Sequence, residues 1–436
     1  MGRRGAVMVV VALVAALVVV GAPPVGRPPA AGAATNGRLP GVNFYPRVVR
    51  LAHAGAANGT VIATTNDGVV GRVWRSTDLG ASFSLLSTIA PGPDAIGLCC
   101  IALFELPTAL GSFPAGTLLW AGSVTTAIGP PRRMDLRVFR SLDHGATWSP
   151  LSTCATSTTG GLWEPDFHVS NDGRLVCLYS DESDQPRHSQ ILTQALSTDG
   201  GQTWGPATPV VVEPVAGRRP GMPTVAQLPD RTWVMTYEMC VVFPQCGIRL
   251  RHSADGVDWG PLDDPGERVL DESGGYLAHT PVIMWTPAGG GAGTLVLSGQ
   301  LLFDAQHHVA PGNGRTLLVN RAGGTGRWTP IEAPVAVTGP TDNFCPNYSS
   351  PVIDLDGNGH LLELASSWLG DECITSYGTA QQDLTPPTPT TTTSTTSSTT
   401  STTTSTTAAP GTLPAAGAPR PASPAQPVVA RPGLTG

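Results

Sequence analysis

The 436-residue chain contains no lysine; all 25 of its basic residues are arginines. That absence excludes a lysine Schiff base and the lysine of a phosphate-binding loop. Charge of either sign is thin, at 13% of residues, and the formal net charge is −7 without any basic stretch, so nucleic acid is not expected as a partner. Glutamate is scarce, and a Glu inside an apolar strand therefore calls for an explanation. No Cys-x-x-Cys pair or His-bearing ligand spacing occurs, so neither a metal nor an organic cofactor is expected. Long apolar runs are rare as well. The one at residues 6–20 follows Arg3-Arg4 and precedes a small-residue site near Ala31-Gly32-Ala33. It falls short of the roughly 20 residues that a bilayer requires, so residues 1–34 read as a secretory signal, with an uncleaved anchor as the alternative. The arginine pair lacks the rest of a twin-arginine motif, which points to general secretion and no membrane contact after cleavage.

What the chain does contain is a repeated unit. Ser197-Thr-Asp-Gly-Gly-Gln-Thr-Trp204 is repeated almost position for position by Arg140-Ser-Leu-Asp-His-Gly-Ala-Thr-Trp148, and by Ser76-Thr-Asp-Leu-Gly-Ala-Ser-Phe83 with Phe for Trp. Ser253-Ala-Asp-Gly-Val-Asp-Trp259 is a shortened copy, and Gly323-Gly-Thr-Gly-Arg-Trp328 keeps only glycines and the Trp. An Asp in a tight turn accepts backbone N–H groups, the Gly tolerates positive φ, and the aromatic buries itself between strands. The aspartates at 78, 143, 199 and 255 are 65, 56 and 56 residues apart, with β-rich segments between. A period of that size signals a propeller. The pattern resembles the Asp-box (BNR) repeat of the sialidase superfamily, where such boxes lie on the blade rims away from the active site.

Each unit repeats the same order: a first strand, a Gly-bearing turn, two further strands, the box and a short outer strand. Residues 36–384 divided by six give about 58 per unit, matching the spacing of the boxes. The expected fold is therefore all-β, a six-bladed propeller over residues 36–384, with the N-terminal strand completing the last blade and closing the ring. Residues 385–436 are dominated by Thr, Ser and Pro and read as a disordered, extended stalk. Within them Leu413-Pro-Ala-Ala-Gly417 is similar to a wall-sorting signal, but no apolar helix or basic tail follows.

Eight cysteines in an exported chain suggest disulfides. Sequence alone allows 105 connectivities. Cys240–Cys246 is the first expectation, then Cys154–Cys177 and Cys345–Cys373. Cys99 and Cys100 would bond to each other or stay reduced.

In a propeller the starts of the innermost strands crowd the central axis. Polar residues there include Tyr45 and Arg47 in unit one, Trp163, Glu164 and Asp166 in unit three, and Arg219 in unit four with Tyr237-Glu238 ending its second strand. Unit five offers His279, Gln300 and Asp304; unit six offers Asn347 and Tyr348. Glu164 and Glu238 lie among apolar or aromatic residues, where a carboxyl is costly to ionise and its pKa rises. Two such groups flanking a glycosidic bond suffice for sugar hydrolysis. The alternative is that either one pairs with a central arginine. Two other patterns read as structural: Asp354-Leu-Asp-Gly-Asn-Gly359 as a hairpin turn rather than a calcium loop, and His307-His308 as a solvated pair.

Tyr45-Pro-Arg47-Val48, Leu162-Trp-Glu-Pro165, Arg219-Pro-Gly-Met-Pro223 and Tyr237-Glu238 together resemble the secreted exo-α-L-arabinanases, six-bladed propellers of the sialidase superfold. The resemblance implies exo-hydrolysis of arabinan with retention, using Glu164 and Glu238, with Glu164 favoured as acid/base. It also implies a sugar site lined by Tyr45, Arg47, Trp163, Arg219, Tyr237, His279 and Tyr348, in a monomer that takes a poly- or oligosaccharide. Two alternatives remain at this stage. An exo-α-sialidase needs three arginines and a Tyr–Glu pair, for which Arg47, Arg219 and Tyr348 supply only part. A non-catalytic carbohydrate-binding propeller on a stalk would suit the Thr-rich tail.

Overall fold

The computed structural model describes residues 34–129, 132–240 and 245–385. The expected secretory signal before residue 34, and the Thr-rich segment with its sorting-like stretch, lie outside the described residues. Six antiparallel sheets form the molecule. Blade one comprises Phe44–Arg50, Val61–Asn66, Gly71–Ser76 and Ser84–Ile89. Blade two comprises Gly97–Glu105, Leu118–Ala127, Arg133–Ser141 and Ser149–Ser157; blade three, Leu162–Val169, Leu175–Asp181, Ile191–Ser197 and Thr208–Val211. Blade four has Arg219–Gln227, Trp233–Cys240, Gly247–Ser253 and the short Glu267–Arg268, and blade five has Val282–Thr286, Thr294–Ser298, Thr316–Asn320 and Thr329–Glu332. Blade six is Val352–Asp354, His360–Leu369 and Glu372–Gln381, completed by Ala34–Arg38 from the N-terminal side. That last pairing closes the ring as expected, so the terminal strand satisfies an edge that would otherwise be open. Among the described residues the only helix is the single 3-10 turn Gly55–Ala57.

The innermost strands of successive blades touch all the way round, including blade six against blade one. Apolar residues on the two faces of each blade fill the spaces between blades. Val61, Ala63 and Trp74 of blade one pack with Leu362, Leu364 and Tyr377 of blade six. Ala121 and Val138 of blade two pack with Leu175 and Tyr179 of blade three. A fully buried side chain of this size contributes about 1.5–3 kcal/mol.

The repeated turns act as staples between neighbours. Asp143 Oδ1 accepts from Ser141 Oγ (2.7 Å) and the Thr147 N–H (2.9 Å), while Ser141 Oγ accepts the Gly145 N–H at 2.8 Å. Gly145 has φ +92°, which the turn requires and a side chain would resist. The Trp148 indole N–H reaches Ser87 Oγ on blade one (3.2 Å), and the Trp204 indole N–H repeats this on Ser152 of blade two (2.9 Å). Asp78 and Asp199 carry the same bonds to their own turns.

The three expected disulfides form, and Cys99 is bonded to Cys100, one of the two outcomes left open. Asp354 accepts the N–H groups of Gly357 (3.0 Å) and Gly359 (2.9 Å), a hairpin turn as expected. Two expectations need correcting. The sequence reads as one strand over Thr294–Leu301, but the second strand of blade five stops at Ser298; after Gly299 the chain swings out, and Leu301–Phe303 pairs with Tyr276–Ala278 beside blade four. His307 is not a solvated ring, because its Nδ1 lies 2.8 Å from Tyr276 Oη.

Replacing Asp143 with Ala removes charge-assisted bonds at the rim and should lower unfolding free energy by about 1–3 kcal/mol in denaturant melts while leaving turnover unchanged.

Candidate active site

Around the start of the innermost strand in every blade at least one non-glycine residue adopts left-handed backbone, blade five adding His279 (φ 60°) and blade six Asn347 (φ 57°) to six that recur in equivalent places. The six are Tyr45, Cys100, Glu164, Met222, Thr280 and Ser349, with φ of 53°, 53°, 52°, 56°, 48° and 58°. In blades one to four the position coincides with a register shift against the second strand, which marks a β-bulge. A bulge re-aims the side chain that a regular pleat would send into a neighbouring blade. Non-glycine residues rarely take this conformation, and a β-branched one such as Thr280 still less often. The repeat thus breaks the regular pleat at an equivalent place in every blade. Tyr45, Cys100 and Met222, from three different blades, share one apolar cluster against which Trp163 and Tyr348 pack.

Glu164 sits at the floor of this hub. Its side chain is only partly exposed, and Oε2 is buried without a hydrogen-bond partner. Burial pushes its carboxyl up to about 8; the Ser180 hydroxyl and the Arg219 charge partly offset this, while the charges of Glu238 and Glu182 add to it. Glu238 lies near the end of the second strand of blade four, two residues before Cys240. The Thr280 N–H donates to its Oε2 (3.0 Å), the Cys240 sulfur lies 3.6 Å from Oε1, and His279 Nδ1 lies 3.9 Å from Oε2. Burial raises its pKa as well, countered by His279 and the Thr280 N–H. A Cβ at Gly221 would stand 3.3 Å from Glu238 Oε1 and 2.5 Å from Gln190 Nε2, so glycine keeps this wall open.

Arg219 joins the pair from blade four. Its guanidinium donates to Glu182 Oε1 (2.6 Å), Gln190 Oε1 (2.7 Å) and Ser189 Oγ (2.8 Å), and a third of the side chain stays exposed. Glu182 also accepts the Gly161 N–H at 3.1 Å. Glu182, Ser180 and Gln190 are absent from the sequence reading. The available signal was positional, because Ser180 and Glu182 occupy the end of blade three's second strand, as Tyr237 and Glu238 do in blade four.

The other expected residues divide. Trp163 borders the hub, with the Arg132 guanidinium 5.1 Å from its ring centre. Tyr348 faces Tyr45 at 5.9 Å, and burial together with Glu164 and Glu238 drives its phenol pKa well above the ordinary value. His279 is buried beside Glu238, with Nδ1 3.8 Å from Asp342 and Nε2 unpartnered. Arg47 is nearly covered: it donates to Ser349 O (3.1 Å), Pro46 O (2.9 Å) and Tyr45 Oη (3.0 Å), which ties blade one to blade six beneath the pocket. Its charge restrains Asp166, whose carboxyl burial still pushes up to about 6. Tyr237 must be corrected. It is fully buried with its hydroxyl on Pro265 O (2.8 Å), packed among Val176, Leu178 and Trp259. Adjacent side chains alternate along a strand, so when Glu238 faces the hub Tyr237 turns into the space between blades.

A raised carboxyl pKa does not by itself mark the site. Glu363, deep in blade six and accepting the Val335 N–H (2.8 Å), is likewise pushed up to about 8 by burial. Glu164 differs in its second carboxylate neighbour and its opening to solvent. Glu238, His279, Cys240 and Cys246 bring ligand-type atoms within 4.8 Å of one another, but both sulfurs are spent in their disulfide. The remaining two groups do not make a metal cage.

No family model matches the chain, and no curated relative matches it. Among solved structures, the Penicillium chrysogenum α-L-arabinanase complexed with arabinobiose is 27% identical, covers 80% of this chain and 97% of its own, and superposes with TM-score 0.66. The GH93 α-L-arabinofuranosidase of Fusarium graminearum, also bound to arabinobiose, is 24% identical over 80% of this chain and 95% of its own, with TM-score 0.65. The NanB sialidase of Streptococcus pneumoniae, at 11% identity, 81% and 70% coverage and TM-score 0.54, shares the fold alone.

Glu164 binds its proton more tightly folded than unfolded. Its contribution to stability is therefore complete below about 4.5 and is lost as pH rises through about 8. Glu164→Gln should melt like the parent near pH 4 and be more stable by roughly 2–3 kcal/mol at pH 9, a figure reduced for the pocket's contact with solvent. Thermal denaturation across that range checks it. The chain is a six-bladed propeller with a sialidase-like fold, its structural neighbours are glycosidases, the arabinanase and the arabinofuranosidase are more similar to it than the sialidase, and the likeness supports a glycoside hydrolase.

Proposed function

We propose that the protein is a secreted, exo-acting glycosidase that cleaves arabinan-type chains with retention, using Glu164 as acid/base and Glu238 as nucleophile. The observation that carries this reading is the unlike environment of two neighbouring carboxyls, the charge of Glu238 helping to raise the pKa of Glu164. Glu164, with an unpartnered oxygen and a pKa near 8, is protonated at neutral pH and able to donate to a departing sugar oxygen. Glu238 has an N–H on one oxygen and an imidazole nearby, both favouring the ionised form needed for attack. In the first step Glu238 would form the bond to the anomeric carbon as that carbon's bond to the leaving oxygen breaks and Glu164 supplies the proton. In the second, water would lose its proton to Glu164 and displace Glu238. Arg219 and Glu182, locked together at the rim, would fix sugar hydroxyls. The similarity to an arabinanase supports the substrate class. Four disulfides support an oxidising compartment outside the cell.

The sialidase reading fits less well. Arg47 is covered and bonded to carbonyls, Arg219 is held by Glu182, and Tyr348 faces two carboxylates that oppose its ionisation. A clamp of free arginines for a substrate carboxylate is not assembled.

Glu238→Gln should abolish release of arabinose-containing products from linear arabinan. Glu164→Gln should cut turnover by about 10²–10⁴-fold on natural substrate and much less on aryl glycosides, whose leaving groups need no proton. A sialylated trisaccharide should stay intact, and the first product seen by NMR should keep the substrate's anomeric configuration. Inversion, or free sialic acid, would overturn the assignment. In a separate measurement, kcat/KM should fall on the alkaline side as Glu164 loses its proton near pH 8 and on the acid side as Glu238 gains one above the usual carboxylate value. Glu164→Gln should erase only the alkaline limb on aryl substrates.

A further inference from the structure

Beside the pocket stands a short ridge of aromatic rings that the catalytic reading leaves unused. Phe44, Phe344 and Trp368 lie in a row, with ring centres 5.5 and 5.4 Å apart and each pair edge to face. Phe344 is 46% and Trp368 42% exposed, and neighbouring Leu369 is 51% exposed. Burying such rings is favourable, so two of them held in the open, with the half-buried Phe44 at the inner end of the row, call for an occupant.

The ridge is built rigidly. Cys345, next to Phe344, is disulfide-bonded to Cys373, which stands opposite Trp368 in the blade-six hairpin. The Gln300 side-chain amide donates to Asn343 O (2.6 Å) and Pro346 O (3.0 Å), and the Asn347 N–H donates to Ser366 O (2.8 Å). Asn43, fully buried, accepts the Thr375 N–H (2.9 Å), and its own N–H donates to Cys373 O (2.9 Å), which fixes Phe44 to the same hairpin. The ridge is also continuous with the pocket. Phe44 precedes Tyr45 at the hub, and the Phe344 loop runs from Asp342, 3.8 Å from His279, to Tyr348.

We propose that this ridge is an accessory subsite that stacks the rings of a neutral glycan chain where it leaves the pocket. The proposal rests on the glycosidase reading above and adds where the polymer lies. Sugar rings present apolar C–H faces that pack on aromatic surfaces, while their hydroxyls remain in water. The charged residues in segments 339–349 and 366–373 are Asp342, Asp371 and Glu372, all acidic and exposed, so an anionic glycan would be repelled.

The test uses Phe344→Ala, Trp368→Ala and the double variant of the full chain, with thermal melts as a folding control. On linear arabinan the double variant should show a KM raised about tenfold, with kcat/KM on arabinobiose unchanged. An equal loss on both substrates, or none on either, overturns the proposal. Affinity electrophoresis in gels containing linear arabinan, run in a Glu238→Gln background, reads binding without turnover. Retardation should be lost in the double variant and absent for every form in gels of polygalacturonate. If the parent cleaves neither substrate the catalytic reading fails, and the gels alone decide the ridge: undiminished or absent retardation by arabinan overturns it. A dimer that the double variant dissociates would assign the ridge to a second copy and overturn it too.

Discussion

Two carboxyl groups sharing one recessed hub cannot both ionise cheaply, and that electrostatic conflict is the constraint on which the site depends. Water is largely excluded because six innermost strands meet there, so each charge is poorly solvated and feels the other. The protein resolves the conflict by unequal support. Glu238 is given an N–H, and Glu164 is left with an orphan oxygen. The same physics that would make a lone buried Glu a defect leaves one carboxyl of this pair inclined to keep its proton and gives the other a donor that favours its charge.

The architecture provides that hub by repetition. A left-handed residue recurs at an equivalent place in every blade, and its identity varies: a tyrosine, a half-cystine, a glutamate, a methionine, a threonine and a serine. The conformational cost at these six positions is of the order of 1–3 kcal/mol each. The boxes at the rim, the four disulfides and the apolar interfaces between blades hold the strained positions in place. Fold and candidate site therefore use different residues: Asp143 holds a turn at the rim, and Glu164 is the residue to which the proposed reading gives the proton transfer.

Much of this was legible in the sequence because it is written in local chemistry. The box spacing counts the blades, and Asp with Gly at fixed offsets makes the turns whatever surrounds them. The short-range bridge Cys240–Cys246 follows from proximity along the chain, whereas the state of Cys99 and Cys100 was left open until the structure showed them bonded. Glu164 and Glu238 stood out because a carboxyl within an apolar strand needs a reason. Tyr237 was misplaced because period-two alternation forbids two neighbours from facing one pocket, and sequence does not say which of them turns inward. The end of blade five's second strand was missed because the chain departs at Gly299 to pair beside another blade, a long-range choice without local trace.

By itself, the sequence determined the all-β class, the number of blades, the turn chemistry and the pair of acidic residues worth attention, since all of these depend on periodicity and on residues near one another. Only the tertiary structure decided which side chains share a space. It set Glu182 and Gln190 against Arg219, drew Arg47 under Tyr45 and away from solvent, and lined up Phe44, Phe344 and Trp368 from segments as far apart as the two ends of the ring. Such neighbours arise from closing a circle of six sheets, and closure brings together residues whose separation along the chain carries no signal of their contact.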